Sequence, residues 1–253
     1  MIMDERITAA LFLILGLVIG SFLNVCVYRL PRGESVVFTP SHCPACGLRL
    51  GAGDLVPLLS YLVLKGRCRS CGARISSRYP LVELTTGLLF AAVFMRTGLT
   101  VLLLKQLFLV AVLIAVTFID LEHMIIPDRI IVFSLAGGIF LNILAGDLSL
   151  LSAGLGLIAA AALLLAPALI YRGGMGGGDI KLAAVIGFFL GWPNGLLAVL
   201  LGCLLGALAG ITLVLTGRRG RKDAIPFGPF LAGGALLAMF YGNQCLSWYL
   251  GFL

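Results

Sequence analysis

Charge is what this 253-residue chain has least of. Only 11% of its residues are Asp, Glu, Lys or Arg, where a soluble domain carries roughly 25%. That shortage excludes an ordinary water-solvated globule. With 60% hydrophobic residues and a mean hydropathy of +1.12, lipid is the expected solvent. Acidic residues are scarcer than basic ones, which leaves a net charge of +7. Nucleic-acid binding would need a soluble basic face interleaved with aromatics. Here the basic residues gather in two short clusters beside apolar runs, as expected for anionic headgroups and topology signals, so nucleic acid is set aside as a partner. Also lacking are a GxxxxGK[ST] phosphate loop, a nucleotide-binding fingerprint and an internal repeat of the kind built into inverted-repeat transporters. The first hydrophobic run is no cleavable signal peptide: its lead is acidic-leaning, its apolar stretch is too long, and its charges follow rather than precede it.

What is there in abundance is apolar sequence of spanning length. Runs near 7–28, 80–97, 101–119, 129–146, 150–171, 179–192, 195–216 and 227–250 read as helices, and ~20 residues suffice to cross a bilayer. The run 179–192 is short before "GWPNG" and reads as tilted or partly embedded. The expected fold is an all-α polytopic membrane bundle of about eight spans with a small cytoplasmic zinc-ribbon-like loop. Orientation follows from Lys and Arg. Residues 29–79 carry Arg29, Arg32, Arg49, Lys65, Arg67, Arg69, Arg74 and Arg78 against Glu34 and Asp54. Residues 217–223 add Arg218, Arg219, Arg221 and Lys222, and Arg129 and Arg172 fall on the same side. The positive-inside rule makes that side cytoplasmic and puts both termini outside.

Four of the seven cysteines lie in one loop, as "CPAC" (Cys43, Cys46) and "CRSC" (Cys68, Cys71). Two CxxC pairs at this separation read as a Zn²⁺ site, and four thiolates close the tetrahedral shell, which implies a structural metal. Disulfides are the competing reading, disfavoured in a reducing compartment. Gly47 and Gly72 follow the two pairs, where the knuckle turn favours positive φ. Cys26, Cys203 and Cys245 read as small hydrophobes. Asn24 and Glu83, near the inner ends of the first two spans, suit an interhelical hydrogen bond and a partner for an arginine.

The stretch "GGMGGGDIKL" (173–182) places glycines and an acid between two apolar runs. Carboxylates at membrane depth are functional hypotheses by default. Asp120 in "TFIDLEHMIIPDR" ends the third predicted span, and Asp179 begins the sixth at the same depth. Two carboxyls held close share one proton: the ionised member takes a proton from water while the protonated one polarises a scissile carbonyl. A peptide reaches such a pair as extended backbone, and Gly176, Gly177 and Gly178 remove side chains that would block it and permit a mobile loop. Asp128 reads as structural or substrate-facing, since Pro127 can start a helix and an acid suits its first turn, with membership of the carboxyl pair in place of Asp120 as the alternative. Lys181 either tunes Asp179 or snorkels to headgroups. Glu122 and His123 read as a solvated loop. Pro226 and Pro229 either bend the chain or pin an extended substrate.

In these motifs, taken in order over nearly its whole length, the chain resembles the bacterial type IV prepilin peptidases of the bifunctional kind, GxGD aspartic proteases that also N-methylate their product. "GSFLNVCVYRLPR", the two cysteine pairs, "YPLVELTTG", "FIDLEHMIIPD", "GGGDIKL" and "PFGPFLAGG" carry the resemblance. It implies Asp120 and Asp179 as the catalytic pair, with Gly228 in the segment before the last span. It further implies removal of a short basic leader from prepilins or pseudopilins on the cytoplasmic side of the bacterial inner membrane, then methylation of the new N-terminus from S-adenosylmethionine. Gly66 and Arg67 fall at a Gly-Lys/Arg position tied to the methylation step, and Asn24 and Glu83 are carried as further candidates. Residues 1–97, with the four-cysteine loop at 29–79, are the expected methylation region, and 98–253 the peptidase region. A proton-coupled transporter would instead place its acids near the midplane. A zinc module that only recruits a partner leaves the aspartates and glycines unexplained.

Overall fold

The computed structural model describes residues 5–170, 175–218, 220 and 223–251. Arg172, Gly173, Gly174, Arg219, Arg221 and Lys222 lie outside the described residues. The described chain is helical throughout apart from turns and two isolated β-bridges. It forms two compact units, 1–115 and 116–253.

In the first unit, α1 (Glu5–Arg29) and α3 (Arg78–Thr97) pack along their lengths. Close approach rests on absent side chains. A Cβ at Gly16 would fall 2.7 Å from Gly87 Cα, and one at Gly20 would fall 2.7 Å from Glu83 Cα. Small residues four apart let backbones meet where lipid offers no hydrophobic drive to association. Phe12 and Phe94 stack at 4.8 Å beside this seam. The loop between the two helices contains α2 (Leu59–Val63), one turn too short to show a period in sequence. The unit ends within α4 (Val101–His123).

The second unit continues α4 and adds α5 (Asp128–Ala145), α6 (Leu150–Ile170), α7 (Gly177–Leu190), α8 (Asn194–Leu215) and α9 (Gly228–Leu250). α7 is its axis, in contact with α5, α6, α8 and α9. Its Leu182, Ala183, Val185 and Ile186 are fully buried. α6 crosses α7 where Gly156 faces Gly187: a Cβ on either would lie within 2.3 Å of the other's carbonyl oxygen.

The helix boundaries fall within a few residues of those predicted. Of the expected eight spans, six helices among the described residues are long and apolar enough to cross a membrane: Glu5–Arg32, Arg78–Thr97, Val101–His123, Asp128–Ala145, Leu150–Ile170 and Asn194–Leu215. The other two differ for separate reasons. α7 has 14 residues, about 21 Å at 1.5 Å per residue, short of a ~30 Å core. α9 is long enough at 23 residues, but Gly242, Asn243 and Gln244 dilute its apolar run.

Candidate active site and metal centre

The two cysteine pairs form matching knuckles. Gly47 N–H donates to Cys43 O at 2.9 Å and Gly72 N–H to Cys68 O at 3.0 Å. Both glycines take the predicted left-handed turn, with φ of 71° and 68°. Cys43 N–H donates to Leu48 O and Cys68 N–H to Ala73 O, and single antiparallel bridges pair His42 with Arg49 and Arg67 with Arg74. The knuckles bring all four Sγ atoms within 4.8 Å of one another, with Cys43 and Cys71 at 3.9 Å. A tetrahedral site with Zn–S of about 2.3 Å needs sulfurs about 3.8 Å apart, so the donor set fits the metal. All seven cysteines are unpaired in this structure. The backbone N–H groups of Cys71 and Ser70 hold the Cys68 thiol below its ordinary range.

The loop is fastened to the helix pair by buried polar groups. Arg29, counted in sequence only as a topology charge, is 4% exposed. Its guanidinium donates to the carbonyls of Ser35, Thr39 and Pro40 at 3.1, 2.7 and 3.1 Å. Glu83 accepts from Leu58 N–H at 2.8 Å and from the Ser21 hydroxyl. The expected arginine partner is therefore replaced by a backbone donor 25 residues away. Asn24 makes the expected interhelical bond, donating to Tyr79 O at 3.0 Å. Gly66, at the mouth of the second knuckle, has φ of 66°, and a Cβ there would meet the Tyr61 ring at 3.0 Å. Arg67 beside it is exposed.

In the second unit, Asp120 is 5% exposed on the last turns of α4. Its Oδ2 accepts from Gly228 N–H at 2.7 Å, and Phe227 N–H donates to the same carboxyl. These are the first amides of α9, groups that no intrahelical carbonyl can satisfy. Asp179 is the third residue of α7, and the N–H of Gly176, the cap of that helix, donates to its carboxyl. Each carboxyl thus sits at the positive end of a helix, where unpaired amides favour an anion. The two are near enough to interact electrostatically.

The glycines before Asp179 do less as open loop than expected. Gly177 and Gly178 are helical. A Cβ at Gly176 would lie 3.0 Å from Asp179 Oδ2, and one at Gly178 would lie 3.0 Å from Ile126 Cβ. Only at Gly177 would it meet nothing within 4 Å. Lys181 Nζ lies 2.6 Å from Asp128 Oδ1, an exposed ion pair. That pair holds the first turn of α5 to the start of α7. Pro229 occupies the first turn of α9, so this segment's contact with Asp120 runs through the backbone of Phe227 and Gly228. Glu122 and His123 are on the last turn of α4, 3.9 Å apart. Sequence reasoning singled out none of Ser21, Leu58, Ile126 and Phe227: Leu58 and Phe227 act through backbone amides, Ile126 through packing and Ser21 through its hydroxyl.

Two families match the chain in succession. The bacterial peptidase A24 N-terminal domain matches residues 14–97, and the type IV leader peptidase family matches residues 107–211. The chain belongs to the type IV leader peptidase family. Relatives named prepilin leader peptidase/N-methyltransferase span it almost end to end. The one from Bacillus subtilis (strain 168) is 40% identical over 95% of this chain and 97% of its own. That from Aeromonas hydrophila is 40% identical over 95% and 93%, and that from Legionella pneumophila 36% identical over 96% and 95%. No solved structure matches. Both aspartates fall inside the leader peptidase match and all four ribbon cysteines inside the N-terminal one. Gly228 lies beyond both, so its place at Asp120 comes from the geometry alone.

Proposed function

We propose that this chain is a bifunctional membrane enzyme, which removes the short basic leader of prepilin- or pseudopilin-like proteins and then N-methylates the new N-terminus. The observation that carries the peptidase reading is the seating of Asp120 and Asp179, each on amides at a helix N-terminus and each in the other's field. In that arrangement one proton serves two carboxyls. The ionised carboxyl takes a proton from the attacking water, and the protonated one donates to the carbonyl oxygen as the tetrahedral centre forms. Gly177, with open space beside it, is the point at which extended substrate backbone draws close.

The methylation reading rests on the names of the relatives and on the polar groups under the loop. S-adenosylmethionine, when bound, supplies the methyl group. Asn24 and Glu83 are buried acceptors suited to an amine or a cationic donor, and Gly66 and Arg67 are assigned by resemblance. Cys43, Cys46, Cys68 and Cys71 would hold a structural Zn²⁺, because four thiolates leave no position open for water. Residues 1–97 serve methylation and 98–253 cleavage. The chain sits in the bacterial inner membrane with about eight passes, both termini outside, and the aspartates and ribbon facing the cytoplasm, as its basic residues favour.

The test is cleavage of a prepilin by purified protein in lipid, with methyl transfer to pre-cleaved substrate scored separately. Asp120→Asn and Asp179→Asn, checked for folding, should lose about 10²–10⁴-fold in cleavage and keep methylation. Asp128→Asn should keep both. Normal cleavage by Asp120→Asn would remove the dyad.

A further inference from the structure

The loop between α1 and α3 exposes side chains that a loop in water would bury. Val37 and Phe38 are 75% and 89% exposed, and Leu59, Leu62 and Val63 are 61%, 69% and 77% exposed. The last three follow i, i+3, i+4 spacing and share one face of α2. Tyr61, on the same turn, is half-buried over Gly66. A short helix that turns its tyrosine inward and its leucines outward is inverted for water, where apolar side chains gain by burial.

Both apolar groups are tied to the ends of membrane helices. Arg29, the last residue of α1, grips the carbonyls of Ser35, Thr39 and Pro40, which bracket Val37 and Phe38. Glu83, in the second turn of α3, holds the amide of Leu58, the residue just before α2. Neither group can swing far from the level at which the helices leave the bilayer. The same loop carries exposed Arg49, Lys65, Arg67, Arg69 and Arg74. The acids of the loop are Glu34 and Asp54, and Asp54 already pairs with Arg69 at 2.8 Å.

We propose that this face of the loop is an interfacial surface that docks on anionic lipid headgroups. Phe38, Val37 and the outer face of α2 enter the boundary between headgroups and acyl chains, and Arg49, Lys65 and Arg74 meet the phosphates. Apolar anchors beside basic residues are the composition that binds such a surface, and each basic residue near it adds to the attraction. Charge complementarity selects lipid here: a purely apolar partner would leave the loop's excess of exposed basic residues unmet. The docking would hold the cysteine ribbon against the membrane and stands whether or not either catalytic reading does.

The test uses the full chain in nanodiscs of phosphatidylethanolamine with phosphatidylglycerol, or of phosphatidylcholine alone, with or without brominated acyl chains. Phe38→Trp and Leu62→Trp are each read as the difference from the wild type, whose Trp192 and Trp248 are common to both. Prepilin cleavage serves as the folding control. In anionic discs the added fluorescence should be quenched about twofold or more by brominated lipid. Lys65→Gln with Arg74→Gln should weaken that quenching. Water-like emission without quenching would overturn the proposal, as would equal quenching in neutral discs. Protection that arises only on adding a prepilin peptide would overturn it too, and make the face a protein-docking site. Hydrogen exchange over residues 33–65, slower in anionic than in neutral discs, is the second expected result.

Discussion

Gly228 and Asp120 are 108 residues apart in sequence and joined by a 2.7 Å bond from backbone amide to carboxylate. The bond makes the start of α9 part of the setting of Asp120. It also explains a glycine at that position: a Cβ there would press on Asp120 Oδ2 at 2.9 Å and on its Cβ at 3.2 Å.

Gly228→Ala is therefore expected to displace the carboxyl without removing it. A hydrogen bond to a charged group contributes about 1.5–3 kcal/mol. Its loss should lower kcat/KM for prepilin cleavage by about 10- to 100-fold, with methylation of a pre-cleaved substrate unchanged. A variant that cleaves at the normal rate would show that the amide plays no part in placing Asp120.

The ion pair of Lys181 with Asp128 leads to the opposite expectation. Its side chains are half or more exposed, and pairs of that kind contribute only about 0–1 kcal/mol. Lys181→Met, Asp128→Asn and the double variant should change cleavage by less than about fivefold. The double-mutant cycle for thermal stability should return a coupling of under about 1 kcal/mol. A loss as deep as that of Asp179→Asn would move Asp128 or Lys181 into the reaction itself.

The helices were legible in the sequence for one reason: in lipid every backbone group must be satisfied within its own segment, so long apolar runs become helices whatever surrounds them. The cysteine knuckles were legible because metal spacing is local. Long-range partners were not. Glu83 finds Leu58 and Lys181 finds Asp128 across 25 and 53 residues, and no pattern in a single chain encodes such distances. The glycine run misled in part. Glycine reads as open loop, but Gly177 and Gly178 are helical, and a Cβ at Gly178 would press on Ile126 at 3.0 Å. The four-residue spacing of Gly16 and Gly20 was a readable sign of the α1–α3 contact.

The cysteine cluster predicts one bound Zn²⁺ per chain. Cys46→Ser should lose it, because three thiolates leave the shell open, and amide exchange over residues 40–75 should rise by tenfold or more as the knuckles lose their common ligand. The aspartates belong to the other compact unit, so peptidase activity should outlast metal loss better than methylation does. Metal content near zero in intact protein with both activities would dispose of the zinc.

Glu83 separates two ways of serving methylation: holding the loop, or meeting the reacting amine. The carboxyl is buried and accepts from an amide whose residue, Leu58, has φ of 59°, a conformation a leucine keeps only when fastened. Glu83→Ala strands that amide and should loosen the loop, raising exchange around residues 55–64 and lowering methylation at least tenfold, while cleavage changes by less than about threefold. Glu83→Gln keeps an oxygen acceptor for Leu58 but carries no charge. If Glu83 only holds the loop, Gln restores both the exchange pattern and most of the methylation. Should Gln restore the exchange pattern while methylation stays as low as in Ala, the carboxylate charge itself is required, and Glu83 meets the amine or the methyl donor directly.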